Sequence, residues 1–230
     1  MSHNKLKKEG IKMSFVVAID GPAGSGKGTI TKLVGEKTGL INIDTGAMFR
    51  CVTLAMLRQN IKLDEEDKIK QLLENIEIDL LEEHGNQKVM LNGEDVTKEI
   101  REKNVNDFVS PVSTIKIVRN KLLDLQRKVA EGKKVIMEGR DIGTTVFPNA
   151  DVKIYLDASC EERAKRRLLQ NQEKGIQTSY EDALENVKAR DKMDSEREIA
   201  PLRRAEDAIY IDSTNMSIEE VVEKITRLIK

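Results

Sequence analysis

Short apolar runs along the chain alternate with longer segments in which apolar residues recur at helical spacing. Five of the short runs are continuous, a pattern typical of strands buried on both faces of a parallel sheet. They are Phe15–Asp20, Leu40–Asp44, Lys134–Glu138, Val152–Asp157 and Ala208–Asp212. Each ends in an acidic residue, and ligands gather at the carboxyl ends of parallel strands, so this edge of the sheet is the expected place of a polar site.

Helical patterns lie between these strands. They cover Gly26–Thr38, Ala47–Gln59, Thr114–Glu131, Cys160–Lys174, Tyr180–Asp194 and Ser217–Ile229. Strands that alternate with helices predict βαβ units, so the expected fold is an α/β three-layer core with a five-stranded parallel sheet. Two of the terminal acids, Asp157 and Asp212, are expected to cap turns and not to join the site.

The segment from Asn75 to Val96 has a different pattern. Ile76, Ile78 and Leu80 alternate with polar residues, and the turn residues His84–Asn86 follow. The dipeptide Asn92–Gly93 is a strong hairpin signal. We therefore expect a small antiparallel insert here, with the potential to cover a substrate.

Composition excludes several classes of protein. The net charge of the 230 residues is −1, no apolar run is long enough for a membrane helix, and there are two cysteines. A dedicated nucleic-acid binder, a membrane protein and a disulfide or cysteine–zinc framework are thus not expected. Residues 1–12 are basic and polar, which predicts a flexible lead before a single domain over 13–230. The expected location is the cytoplasm.

The strongest motif follows the first predicted strand. It fits G-x-x-x-x-G-K and consists of Gly21, Pro22, Ala23, Gly24, Ser25, Gly26, Lys27, Gly28 and Thr29. Between a buried strand and a helix, such a loop directs backbone N–H groups and the positive helix end at phosphate, while the lysine bridges the outer phosphates. Gly28 stands where this motif normally has Ser or Thr as a magnesium ligand, so a side-chain ligand is missing there.

Three further motifs narrow the match. They are Asp44–Arg50 (DTGAMFR), Glu138–Thr144 (EGRDIGT) and the group Arg190–Asp194 with Arg197 near Ala200–Leu202. Together with the G-K-G-T ending of the loop, they resemble the bacterial cytidylate kinases, the CMP/dCMP kinases among the P-loop nucleoside monophosphate kinases. The similarity runs from about Phe15 to the C-terminus. It implies a monophosphate-binding lobe with the insert at about 60–104 and a lid at about 168–180.

The resemblance also implies the substrates and the residues that bind them. ATP, carrying Mg²⁺ held by phosphates and water, is the donor and CMP or dCMP the acceptor. By this resemblance, Arg50, Arg140 and Arg197 bind the phosphate of the acceptor. Arg190 and Asp194 bind its ribose and the nearby phosphate. The implied cytosine-binding residues are Ser110, Arg119 and Asp141, and Thr45 matches a substrate-contacting hydroxyl.

Phosphoryl transfer to a phosphate needs no general base, because the acceptor is already largely dianionic near neutral pH. Catalysis then depends on positioning and on cations, for which Lys27, Arg140, Arg167 and Arg197 are the candidates. Arg163 and Arg167 share a helix face by their i, i+4 spacing and are expected at the ATP phosphates, with Arg166 facing elsewhere. His3 and His84 are expected to be bystanders.

Some alternatives stay open at this point. Glu138 fits either a magnesium-bound water or a plain ion pair at the end of its strand. The acceptor could be UMP or AMP, and a different class of protein, a P-loop module that hydrolyses ATP to act on RNA or protein, shares the loop. Gly28 and the Gly139–Arg140 sequence speak against that module. A monomer with small-molecule substrates, and with neither nucleic acid nor membrane as partner, is the expectation.

Overall fold

The computed structural model describes residues 14–83, 86–173 and 175–229 of the chain. Its centre is a five-stranded parallel sheet in the order β2-β6-β1-β7-β8. The strands are β1 (Phe15–Asp20), β2 (Ile41–Asp44), β6 (Lys134–Gly139), β7 (Val152–Asp157) and β8 (Ile209–Asp212). All five predicted strands are confirmed, and the α/β class with them. The predicted lead, residues 1–12, lies outside the described residues.

Helices cover both faces of this sheet. They are α1 (Lys27–Thr38), α2 (Thr45–Arg58), α3 (Glu66–Asn75), α4 (Lys103–Val112), α5 (Lys116–Ala130), α6 (Cys160–Glu173), α7 (Tyr180–Glu196) and α8 (Ile218–Leu228). The pleat of β1 shows how the two layers form: Val17 and Ile19 pack with α1 and α8 on one face, whereas Val16 and Ala18 pack on the other. No helix within the described ranges is both long and apolar enough to cross a membrane.

A separate three-stranded antiparallel sheet forms the predicted insert. Its strands are β3 (Ile78–Glu83), β4 (Asn86–Leu91) and β5 (Glu94–Asp95). The turn between β4 and β5 is the dipeptide Asn92–Gly93, with positive φ angles of 49° and 81°. Both residues tolerate the left-handed region, as a tight hairpin turn of this kind requires. The insert packs with α2, α3, α4 and α5 around its own apolar core.

Four elements were not predicted. They are α3, α4, a 3-10 turn over Glu99–Arg101 and a single π-helical turn over Ile142–Val146. The α4 sequence carries polar residues of low helix propensity and Pro111 inside the helix. Its helical form therefore depends on packing against α2, which its local sequence does not announce.

Two of the acidic strand ends act as predicted. The Asp157 carboxylate accepts a hydrogen bond from the Ala158 N–H, and that of Asp212 accepts from the Thr214 N–H and hydroxyl. Both side chains cap turns. Asp44 does something different, because its carboxylate caps the N-terminus of α2 and also pairs with Arg101 at 3.1 Å.

Candidate active site

The predicted phosphate loop joins β1 to the N-terminus of α1. Its three glycines, Gly21, Gly24 and Gly26, have φ angles of 155°, 78° and 90°. A Cβ on Gly21 would lie 2.0 Å from the carbonyl oxygen of Leu156 on the neighbouring strand, so no other residue fits there. The chain therefore turns sharply after β1, and the N–H groups of the loop and the start of α1 face one cleft.

Lys27 lies in the centre of this loop and is buried. Its ammonium donates to the carbonyl oxygens of Gly21 and Pro22, both at 2.7 Å, and to the Ser25 hydroxyl at 3.2 Å. Burial, and after it the nearby positive charge of Arg140, lowers the pKa of Lys27. An anionic phosphate in the cleft would stabilise the protonated form and receive a strong point charge.

The carboxylate of Glu138, at the end of β6, faces the same loop. Burial and the adjacent negative charge of Asp44 raise its pKa, and Lys27 opposes this effect. The buried hydroxyl of Thr45 donates to the backbone carbonyl of Glu138 at 2.7 Å, which fixes the start of α2 against β6. The strand-end acid predicted at this edge therefore lies beside the lysine.

A chain of alternating charges lies across the cleft from the loop. Arg119 donates to Asp141 at 2.6 Å, and Arg197 donates to the other oxygen of Asp141 at 3.1 Å. Arg197 also lies 3.8 Å from Asp194, which accepts from Arg140 at 2.8 Å. The guanidiniums of Arg140 and Arg197 outweigh the burial of Asp194 and lower its pKa. The five residues of this chain of charges are therefore held in place by one another.

Two more arginines of this side lack a full set of partners. Arg190 has a buried Nε without a hydrogen-bond partner, and its pKa is lowered to about 10 by burial and by Arg140 and Arg50. Arg50 donates through Nε to the side-chain oxygen of Asn106 at 3.3 Å. Guanidiniums that crowd each other and keep free donors are suited to an anion with several oxygens.

Most of the predicted site residues line one cleft of about 970 Å³. On the loop side these are Ala23, Gly24, Gly26, Lys27, Gly28 and Thr29, and on the other side Thr45, Arg50, Ser110, Arg140, Asp141, Arg190, Asp194 and Arg197. Arg167 lines the cleft from α6. Arg119 reaches it through Asp141, and its guanidinium lies over the ring of Phe49, 5.4 Å from the centroid. Phe49 also packs against the apolar cluster of the insert.

Arg163 is one of the two arginines predicted at the ATP phosphates. Its buried guanidinium lies beneath the loop, where it donates to the carbonyls of Ala23 at 3.0 Å and Ala158 at 2.9 Å and pairs with Asp191 at 2.6 Å. In this structure Arg163 is held by the loop backbone and by Asp191, and the contact of Arg163 and Arg167 with the ATP phosphates stays a prediction. Arg166, expected to face elsewhere, donates to the Ser25 carbonyl of the loop at 3.2 Å.

Several residues that line the cleft were not singled out from the sequence, and Arg101 and Asn106 are two that contact predicted site residues or their neighbours. Arg101 and Asn106 line the cleft from the 3-10 turn and from α4. The amide of Asn106 donates to the carbonyls of Arg101 and Glu102 while its oxygen accepts from Arg50. Arg101 and Asn106 lie in a charged stretch and could not be singled out from the sequence, because neither the 3-10 turn nor α4 was predicted.

A phosphate loop that faces an arginine-rich cleft across the ends of a parallel sheet is the arrangement of the P-loop kinases, and this chain has that fold and that site. The sequence agrees in detail, since residues 17–230 match the family model described as cytidylate kinase. The chain belongs to the cytidylate kinase family.

Individual relatives show how close this membership is. The cytidylate kinase of Caldicellulosiruptor saccharolyticus is 53% identical over 212 residues, which cover 92% of this chain and 94% of that protein. The cytidylate kinase of Bacillus subtilis is 48% identical over 214 residues, covering 93% and 96%. A crystal structure of an uncharacterized protein from Eubacterium ventriosum has a TM-score of 0.51 at 14% identity, covering 94% of this chain and 98% of that chain, and supports the fold alone.

Proposed function

We propose that the chain transfers the γ-phosphoryl group of ATP to CMP or dCMP and so forms ADP and CDP or dCDP. Family membership gives the reaction. The observation that carries its assignment to this cleft is that one cavity is lined both by the phosphate loop and by Asp141, which is paired with Arg119. One side suits a triphosphate, and the other suits a monophosphate with a base to be recognised.

On the donor side, the loop over Gly21–Thr29 holds the ATP phosphates with its N–H groups. Lys27 stays in contact with the γ-phosphoryl group while it is transferred. Arg167 lies on α6 directly before the predicted lid, about 168–180, and adds positive charge when the lid covers the nucleotide. Arg163 acts from beneath: its bond to the Ala23 carbonyl supports the loop that binds ATP. Arg163 thereby remains an ATP-site residue but acts through the loop.

On the acceptor side, Arg50, Arg140 and Arg197 bind the phosphate, and Arg190 with Asp194 binds the ribose and the nearby phosphate oxygens. The free Nε of Arg190 supports this assignment, since a substrate oxygen would satisfy it. Asp141 accepts from the exocyclic amine of cytosine, with Arg119 and Ser110 at the ring acceptors. Thr45 holds the floor of this site through its bond to β6.

The chemistry requires positioned cations and no base. The acceptor dianion attacks the γ-phosphorus in line, and the charge that spreads over the transferred oxygens is stabilised by Lys27, Arg140, Arg167 and Arg197. The bond between the γ-phosphorus and the β,γ-bridging oxygen breaks, and this oxygen leaves with ADP, which the loop still holds. Closure of the lid keeps water, a competing acceptor, away from the γ-phosphate.

Magnesium fits this site in one way. Gly28 offers no side-chain oxygen, and Glu138 is the carboxylate that approaches the first turn of α1. A magnesium ion carried with ATP would be held mainly by the phosphates and water, and it would supply positive charge to the group in transfer. Glu138 would hold one of those waters.

The remaining assignments complete the proposal. Residues 13–230 form one catalytic domain, with the acceptor lobe and its insert at about 60–104. The protein acts as a monomer on small molecules in the cytoplasm, with neither nucleic acid nor membrane as a partner.

A coupled assay of ADP release across the common ribo- and deoxy-monophosphates tests the function. ADP is expected only when CMP or dCMP is present, and Lys27→Ala is expected to lower turnover by about two to three orders of magnitude. Faster turnover with UMP or AMP would assign the chain another acceptor. ADP release without any monophosphate would indicate an ATP-hydrolysing module.

A further inference from the structure

Asp20 is a buried carboxyl for which the proposed chemistry has no use. It is the last residue of β1, is 5% exposed, and directly precedes the first glycine of the phosphate loop. Its Oδ1 accepts from the N–H of Ile142 at 2.8 Å, and its Oδ2 accepts from the N–H of Gly143 at 2.7 Å. Both donors are backbone groups of a different loop, 122 and 123 residues further along the chain.

Those two N–H groups directly follow Arg140 and Asp141. They begin the π-helical turn over Ile142–Val146, and Asp20 is paired with Gly139 in the register of β1 and β6. The carboxylate therefore fixes the backbone immediately after the two acceptor-side residues. Because Asp20 is also joined to the phosphate loop, it links the two halves of the cleft by a single side chain.

A carboxylate is the side chain that can make this link. It offers two acceptor oxygens to two N–H groups, whereas an amide of the same shape offers one oxygen and turns its own N–H₂ toward the second donor. The backbone at Gly143 is close-packed, since a Cβ there would lie 3.2 Å from Lys153 Cδ and in van der Waals contact with Asp20 Oδ2. The ionisable groups that act on Asp20 most are Asp141, which disfavours its charge, and Lys27, which favours it.

We infer that Asp20 is a positioning residue for the acceptor: it sets Arg140 and Asp141 at a fixed distance from the phosphate loop through the N–H groups of Ile142 and Gly143. The inference rests on the proposed function, which assigns those two residues to CMP. Asp20 touches neither substrate, so its loss is expected to affect the acceptor side and to leave the hold of the loop on ATP in place.

The test compares Asp20→Asn with a matched control, Asp151→Asn. Asp151, like Asp20, is a carboxylate that accepts a hydrogen bond from a distant backbone N–H. Its donor is Val16 of β1, at 2.8 Å, at the opposite end of the strand from Asp20. We expect Asp20→Asn to weaken CMP binding about tenfold or more and ATP binding less than about twofold, by calorimetry with each nucleotide alone. Asp151→Asn is expected to change neither. Asp20→Ser, which keeps one acceptor, serves if the Asn variant does not fold.

Hydrogen exchange of the Ile142 and Gly143 amides gives a second readout that needs no substrate. We expect both amides to exchange at least about tenfold faster in Asp20→Asn than in the wild type. The exchange rates of the amides in the strands of the sheet should not change. Unchanged exchange, unchanged CMP binding or an equal loss of both nucleotides would each overturn the inference. A wild-type protein that does not bind CMP would overturn the proposed function instead, and the exchange rates would still decide whether Asp20 holds this turn.

Discussion

A Cβ on Gly28 would lie 3.1 Å from Oε1 of Glu138, so the first turn of α1 and the end of β6 are in direct contact at the centre of the cleft. A side chain on residue 28 would fit tightly and would require this carboxylate to shift by a few tenths of an ångström. The departure of the loop from the usual Ser or Thr at this position thus has a steric explanation. A β-carbon at this position would meet a carboxylate that comes from a different strand.

The contact predicts the effect of Gly28→Ala. The added methyl group should push Glu138 away from the loop and lower kcat about tenfold, while the helix itself gains up to about 1 kcal/mol because alanine favours helix over glycine. Steady-state kinetics and thermal unfolding measure the two effects separately. An unchanged kcat in a variant of equal or higher Tm would show that the position of Glu138 does not matter to turnover.

Asp141→Asn is expected to act mainly on the acceptor. A buried cytosine amine that loses its acceptor costs about 1–3 kcal/mol, so CMP affinity should fall about tenfold to a hundredfold while ATP affinity stays within about twofold. Two guanidiniums, of Arg119 and Arg197, lose their charged partner in the same variant, and Tm should fall as well. Equal losses for both nucleotides in calorimetry would remove Asp141 from base recognition.

Arg163→Ala is expected to weaken the phosphate loop from below. The Ala23 carbonyl and the Asp191 carboxylate lose a buried donor, so ATP affinity and Tm should fall together and CMP affinity should change little. Lys165→Ala, an exposed position on the same helix, is the matched control. A loss of kcat at saturating ATP without any loss of Tm would instead return Arg163 to direct contact with the transferred group.

The free energy of unfolding should depend on pH in a way that reports the raised pKa of Asp20. Burial is the main cause that raises its pKa from 3.8 to about 6. Between these two values the folded chain holds more protons at this carboxyl than the unfolded chain does, so its contribution to stability falls as pH rises through that window. The free energy of unfolding of the wild type minus that of Asp20→Asn should fall by up to about 3 kcal/mol across the window. Urea titrations at each pH measure it, and a constant difference would contradict the assignment.

The sequence predicted those parts of the molecule that depend on local pattern. Continuous apolar runs located all five strands of the sheet, and the glycine spacing located the loop around Lys27, because both patterns arise within one segment. The pairing of Arg119 with Asp141 joins residues from separate elements, and only the resemblance to a family brought them together. The sequence could not place Arg163 or Arg166, because helical spacing gives a shared face but not the neighbour that this face contacts.

The insert and the helices around it have a hydrophobic centre apart from those on the two faces of the parallel sheet. Residues of α2, α3, β3, β4, α4 and α5 form one apolar cluster, and the sheet with α1 and α8 forms another. Elements that share a centre of their own tend to open and close as one cooperative unit with its own local free energy. The part of the acceptor site that this unit carries, with Arg50, Ser110 and Arg119, can therefore loosen or melt while the sheet and the phosphate loop stay folded, so heating or mild denaturant should abolish acceptor binding before donor binding.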